Sequence, residues 1–250
     1  MSERTKIYFA SDFHLGIPSY TESLEREKLV VQWLDMASKD AKEIYLVGDI
    51  FDFWFEHKYT VPKGFVRLLG KIAQLTDSGI TINIFTGNHD MWMYDYLPHE
   101  TGVQLFTQPI TREYGGKKFF IGHGDGLGPG DTKYKFFKIF FHSKICQWLF
   151  ARFHPNFSIG LGNFCSRWSG KSSRKKDKVF LGEDKEWLFI YCKEVLKKQH
   201  FDYFIFGHRH LPLDLKPAPN SRYINLGEWM NHRTYAVFDG KELEFKKFEK

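Results

Sequence analysis

The chain has 250 residues, 36 Lys and Arg against 30 Asp and Glu, and 42% hydrophobic residues, the make-up of one globular domain with a sizeable core. No run nears the roughly 18 apolar residues of a membrane span and no secretory leader follows Met1, so the expected compartment is the cytoplasm. Three cysteines without a CxxC spacing argue against a disulfide framework or a thiolate zinc site.

In chain order, "KIYFAS" (6–11) predicts a strand, and 21–39 predicts an amphipathic helix with Thr21 or Ser23 as its N-cap. A strand at 43–48, a helix at 64–79 and a strand at 80–86 follow, an alternation that implies βαβ units and neighbouring parallel strands. Residues 110–123 read as a hairpin turning at Gly115 and Gly116. Strands at 202–208, 221–227 and 233–248 complete the set, the last a pair hinged at Asp239 and Gly240. The expected fold class is α/β, two packed mixed β-sheets flanked by helices. A single domain spans 1–250, and the rhythm breaks at 131–199, which reads as a helical insertion, with 131–153 as its first helical stretch.

Five apolar strands end in residues that ligate metals. "FASDFH" gives Asp12 and His14, "YLVGDIFDFW" gives Asp49, and "FTGNHD" gives Asn88, His89 and Asp90. "FFIGHGD" gives His123, and "FIFGHRH" gives His208 and His210. Asp52 reads as a loop-ordering residue rather than a ligand. In parallel sheets such ligands converge at the carboxyl ends of the strands. Imidazole combined with carboxylate and amide oxygen suits Mn, Fe or Zn. Seven ligands exceed the need of one tetrahedral ion and match two divalent ions sharing a carboxylate, a pair that grips phosphoryl groups. His57, His99, His142, His154, His200 and His232 read as structural or solvated.

The ordered set D-x-H, G-D, G-N-H-D, G-H and G-H-x-H resembles the calcineurin-like metallophosphoesterases over residues 6 to 210. The resemblance implies an αββα sandwich. It implies Asp12, His14 and His210 on one ion, Asn88, His123 and His208 on the other, and Asp49 between them. It gives His89 the phosphoryl oxygens or the leaving group, with Asp90 orienting His89 by a hydrogen bond. "SDFHLG", "VGDIFDFWFE", "HGDGLGPGDTKY", "FGHRHLP" and "NLGEW" look like the UDP-2,3-diacylglucosamine diphosphatases of lipid A biosynthesis. That resemblance implies hydrolysis to UMP and 2,3-diacylglucosamine 1-phosphate (lipid X), by hydroxide generated at the ions attacking the uridine-side phosphorus. Mn is the expected metal, and Asp131, Tyr134, Ser169, Lys176, Asn88 and His208 are the expected substrate contacts. His89 departs from the Arg of many of these enzymes.

The charge is local. Between 131 and 177 there are ten Lys and Arg and no acidic residue, leaving 26 basic against 30 acidic residues elsewhere. Aromatics fill the same segment, with Phe137, Phe141, Ile145 and Trp148 on one expected helical stripe. Basic and aromatic together suit a lipid-linked nucleotide or the inner-membrane surface, and peripheral attachment follows; core or lid packing is the alternative for the Phe residues. The aromatics lie in dense apolar runs unlike a stacking platform, so no nucleic acid is expected. Competing functions are a phosphoesterase acting on nucleotides, phosphoproteins or diesters, and a metal-free interaction or membrane-scaffolding module.

Overall fold

The computed structural model describes residues 4–129, 132–176 and 179–249, the side chains of 132–134 and 167–176 excepted. Asp131 and the side chains of Tyr134, Ser169 and Lys176 therefore lie outside the described residues.

The first half runs β1 (Lys6–Ala10), α1 (Tyr20–Ala37), β2 (Ala41–Val47), α2 (Val66–Asp77), β3 (Thr81–Phe85), α3 (Tyr96–Thr101) and β4 (Gln104–Phe106). The hairpin β5 (Ile110–Tyr114) and β6 (Lys117–Ile121) comes next. Between β6 and β7 (Tyr203–Phe206) stand α4 (Thr132–His142), α5 (Lys144–Phe150), α6 (Pro155–Lys176) and α7 (Trp187–Leu196). β8 (Pro212–Ala218), β9 (Ser221–Leu226), β10 (Thr234–Phe238) and β11 (Leu243–Lys247) close the chain.

One sheet has six strands ordered β11-β10-β1-β2-β3-β4, the other five ordered β5-β6-β7-β9-β8. β1 to β4 are mutually parallel, as are β6, β7 and β9. Strand alternation sends neighbouring side chains to opposite faces. Ile7 and Phe9 enter the layer between the sheets with Tyr45, Val47, Phe119, Ile205 and Ile224. Tyr8 and Ala10 face the other way, under Val30, Trp33, Leu34 and Ala37 of α1. On the far side Phe204 and Phe206 pack against Leu188, Phe189 and Cys192 of α7. Three apolar layers thus separate helix, sheet, sheet and helix, an αββα sandwich. Each fully buried Phe or Leu contributes roughly 1.5–3 kcal/mol.

Three local features differ from expectation. The N-cap of α1 is Ser19, whose hydroxyl accepts the Glu22 N–H at 3.2 Å. Ser23 instead accepts the Gly16 N–H at 2.7 Å, pinning the helix to the loop after β1. The helical run at 131–153 breaks at Ser143, extended at φ −64° and ψ 121°, so α4 and α5 are separate helices and the expected stripe is split. β8, unpredicted because of Pro212 and Pro217, is an edge strand, where missing N–H donors are tolerated.

Candidate metal centre

The loops leaving β1, β2, β3, β6 and β7 bring the expected ligands together. Seven described non-glycine residues have positive φ, and five of them are Asp12, His14, Asp49, His208 and His210, at 44° to 69°. Each left-handed residue costs about 1–3 kcal/mol, and such strain concentrates where geometry serves chemistry. It bends each strand end sharply so that its side chain turns into the gap between the sheets. Two glycines are fixed by space. A Cβ on Gly87 would strike the Asp49 carboxylate and amide, and one on Gly207 would strike Ser11 and Asp12.

His14 Nε2 lies 2.9 Å from His210 Nε2, and Asp12 Oδ1 lies 3.2 Å from the same His210 nitrogen. Asn88 Oδ1 lies 2.8 Å from His208 Nδ1 and 3.3 Å from His123 Nε2. Asp49 Oδ2 stands between the two groups, 3.7 Å from His14 Nε2 and 3.4 Å from His123 Nε2. Asp12, His14, Asp49 and His210 are buried, and each offers a donor atom within 4.8 Å of the others. Asp12 Oδ1 and Asp49 Oδ2 are buried without a hydrogen-bond donor. Buried carboxylate oxygens are rarely left so, and a cation supplies what is missing. The donor set, imidazole with hard oxygen and no thiolate, fits divalent ions.

The electrostatics are those of buried carboxylates and imidazoles crowded together. Burial opposes charge on His14, but the adjacent carboxylates of Asp12, Asp52 and Asp49 raise it to about 10. His123 is likewise lifted against burial to about 10 by the Asp49 charge. Burial and the neighbouring His123 charge push His208 down to about 4. Burial works against the Asp12 and Asp49 carboxylates as well, yet the surrounding imidazoles hold both below the usual range.

Supporting residues depart from expectation at two points. Asp90 makes no bond to the His89 ring. Its oxygens accept the N–H groups of Gly87 (2.7 Å), Ile50 (2.7 Å), Phe51 (3.2 Å) and Asp49 (3.3 Å), so it shapes the Asp49 loop instead. Burial and the Asp49 charge push Asp90 up to about 7. His89 Nδ1 lies 3.0 Å from the Asp52 carbonyl and 2.9 Å from Ser166 Oγ. The Asp52 carboxylate turns toward the site rather than into its own loop, 3.3 Å from His14 Nδ1 and 3.7 Å from His89 Nδ1, and with these two imidazoles it forms a second group able to hold a metal ion.

Three further residues carry no motif signal. Arg26, buried in α1, donates to the carbonyls of Phe13 and His14 at 2.6 Å and so grips the first ligand loop. Arg209 points away from its flanking histidines into a buried pair with Glu186, 3.0 Å from Oε2. Ser166 reaches the site from α6.

The insertion turns aromatic side chains outward. Phe137, Ile145 and Trp148 are exposed, as are Phe136, Phe140, Phe157 and Phe164, which removes ordinary core packing as their explanation. Phe141 and Phe150 do pack, against Trp92 at ring separations of 5.8 and 5.3 Å. Among the described residues no helix is long and apolar enough to cross a membrane.

Residues 5–212 match the calcineurin-like phosphoesterase family. The chain is 37% identical to a UDP-2,3-diacylglucosamine hydrolase of Porphyromonas gingivalis, with 98% of each chain covered. It is 29% identical to the protein of the same name from Vibrio vulnificus, over 96% of this chain and 97% of that one. The phosphoesterase Yfce from E. coli aligns at 15% identity with a TM-score of 0.43, over 96% and 91% of the two chains. The chain belongs to the calcineurin-like phosphoesterase family and is a metal-dependent hydrolase.

Proposed function

We propose that this chain hydrolyses the diphosphate of UDP-2,3-diacylglucosamine, releasing UMP and 2,3-diacylglucosamine 1-phosphate (lipid X). One observation carries the reading. The helix that touches the candidate site through Ser166 carries Phe157 and Phe164 exposed on its opposite face, so an apolar surface stands one helix away from a phosphate-gripping centre. A substrate that carries both a diphosphate and acyl chains uses both. The shared name of the two relatives supports the same substrate.

Asp12, His14 and His210 would hold one divalent cation and Asn88, His123 and His208 a second, with Asp49 shared. Mn is our assignment, and the same donors accept Zn or Fe. Bound there, two cations neutralise phosphoryl charge and lower the pKa of water enough to supply a nucleophile near neutral pH. His89 has its Nδ1 facing the Asp52 carbonyl and Ser166, which leaves Nε2 to bond a phosphoryl oxygen or exchange a proton with the leaving group. Asp90 acts at a distance by fixing the amides around Asp49. Asn88, His208, Asp131, Tyr134, Ser169 and Lys176 would meet the substrate. The enzyme would work at the cytoplasmic face of the inner membrane, attached peripherally through the aromatic and basic face.

The test is identification of products by mass spectrometry from UDP-2,3-diacylglucosamine with Mn, Zn or a chelator. UMP release with metal alone is expected. UDP as product would move the attack to another bond, and no turnover would discard the substrate.

A further inference from the structure

Helix α6 meets the rest of the protein through small residues spaced by four, a spacing that keeps them near one face. Ser158 Oγ lies 3.0 Å from His57 Nε2. At Gly162 the ring of Phe53 occupies the space a Cβ would need. Ser166, one further turn along, lies 2.6 Å from Asp52 Oδ2 and 2.9 Å from His89 Nδ1. The small side chains let the helix come close enough for a one-carbon hydroxyl to reach the loops carrying Asp49 and His89.

The protons in this contact have one consistent arrangement. Asp52 is a carboxylate and only accepts, and 2.6 Å is the separation of a charge-assisted O–H···O bond, so the Ser166 proton lies toward Asp52. Ser166 Oγ then has lone pairs left to offer and accepts from His89 Nδ1. The second neighbour of Nδ1, the Asp52 carbonyl at 3.0 Å, is also an acceptor. Two acceptors require a proton on Nδ1. The other Asp52 oxygen lies 3.3 Å from His14 Nδ1 without hydrogen-bond geometry.

We propose that Ser166 is a positioning residue for the reaction, supplied by α6 to hold His89 in its Nδ1–H form. The proposal rests on the reading of His89 as the group that meets the phosphoryl oxygen or leaving group. It ties hydrolysis to the docking of the insertion, because the hydroxyl that aligns His89 arrives only with α6. Removing it leaves Nδ1 with the backbone acceptor alone and frees the Asp52 carboxylate to turn.

The experiment compares wild type, Ser166→Ala, Ser166→Thr and Ser158→Ala, each metal-loaded. Turnover is measured on UDP-2,3-diacylglucosamine and on bis(p-nitrophenyl) phosphate, with metal content and hydrogen exchange over residues 155–166 alongside. Ser166→Ala is expected to lose roughly 10–100-fold in kcat on both substrates, the usual cost of removing a partner that orients a ligand or catalytic ring. KM, metal content and exchange should stay near wild type, Ser166→Thr should restore the rate, and Ser158→Ala should match wild type. An unchanged kcat in Ser166→Ala overturns the proposal. So does a loss that Thr cannot restore, or one accompanied by faster exchange along α6, since either assigns Ser166 to packing. If wild type cleaves only the small diester, the substrate reading fails, and the role of Ser166 is still decided on the diester.

Discussion

Asp49 Oδ2 lies 3.4 Å from His123 Nε2, and the same oxygen lies 3.7 Å from His14 Nε2. One anionic oxygen thus faces imidazoles delivered by both sheets, while its partner oxygen accepts the His89 N–H at 2.9 Å. Asp49→Asn removes the charge at the point where the two groups meet. Removing a residue that merely orients a ligand costs about 10–100-fold, so this variant should fall by more than about 100-fold in turnover. Metal content should drop with it while circular dichroism stays native. Full metal content at the wild-type rate would refute the shared position.

Gly87→Ala should destabilise for a steric reason alone, because a Cβ there meets the Asp49 carboxylate and amide. Overpacking of this kind costs about 1–3 kcal/mol, and each kcal/mol lowers Tm by roughly 2–4 °C in a chain this long. Gly70→Ala in α2 is the counterpart, since nothing lies within 4 Å of its Cβ position. There the gain should be about 0.4–1 kcal/mol, from reduced freedom of the unfolded chain. Thermal unfolding of the two variants should move in opposite directions.

Proton release should accompany metal binding. In the cation-free protein His14 and His123 keep their protons up to about 10, whereas a ligand nitrogen must be bare. Cations entering at neutral pH should therefore expel about two protons, and affinity should climb as pH rises toward 10. The raised histidines stabilise the cation-free fold fully below about 6.5 and lose that contribution as pH rises through their folded values. The depressed Asp12 and Asp49 contribute above about 4 and lose it as pH falls. The chelated protein should thus be most stable in mild acid and weaken on the alkaline side. Calorimetric titration in buffers of different ionisation enthalpy reads the protons directly. Heats that do not vary with buffer would contradict the assignment.

The convergence of these side chains was legible because Asp, Asn and His rarely end an apolar strand, and five repeats of that pattern point to one shared place. The sheets followed from the same strands, whose alternation separates Ile7 and Phe9 from Tyr8 and Ala10. Contacts made across the chain were not legible. Ser166 meets Asp52 over a separation of 114 positions, and nothing in either neighbourhood announces the partner. Asp90 misled in another way. The family resemblance implied a bond to His89, but four amides consume the carboxylate. Arg209 stands between two histidines, and nothing in that motif announces that its guanidinium pairs with Glu186 at the start of α7.

The aromatic platform should matter to lipid and not to small esters. Phe136, Phe157 and Phe164 are 71%, 57% and 66% exposed, so replacing them with Ser should change stability by no more than about 0.5 kcal/mol each. KM for UDP-2,3-diacylglucosamine should rise and binding to anionic vesicles should weaken, while cleavage of p-nitrophenyl phosphate stays unchanged. Equal losses on both substrates would place these residues in the site rather than on a docking face.

Arg209→Met should be among the most destabilising single changes outside the ligand set. Its guanidinium is 4% exposed, bonded to both oxygens of Glu186 at 3.2 and 3.0 Å and stacked 4.3 Å over the Trp187 ring. Glu186 is 2% exposed and stands at the N-cap of α7. Losing one member of a buried pair strands the other charge, at a cost of about 3–5 kcal/mol. Glu186→Gln combined with Arg209→Met removes both charges, and should recover part of that loss. Because Arg209 lies between His208 and His210, the single variant should also bind metal more weakly than the double one. Urea unfolding and metal titration of all three proteins test the coupling. Equal metal affinity in the two variants would confine the pair to holding α7 against its sheet.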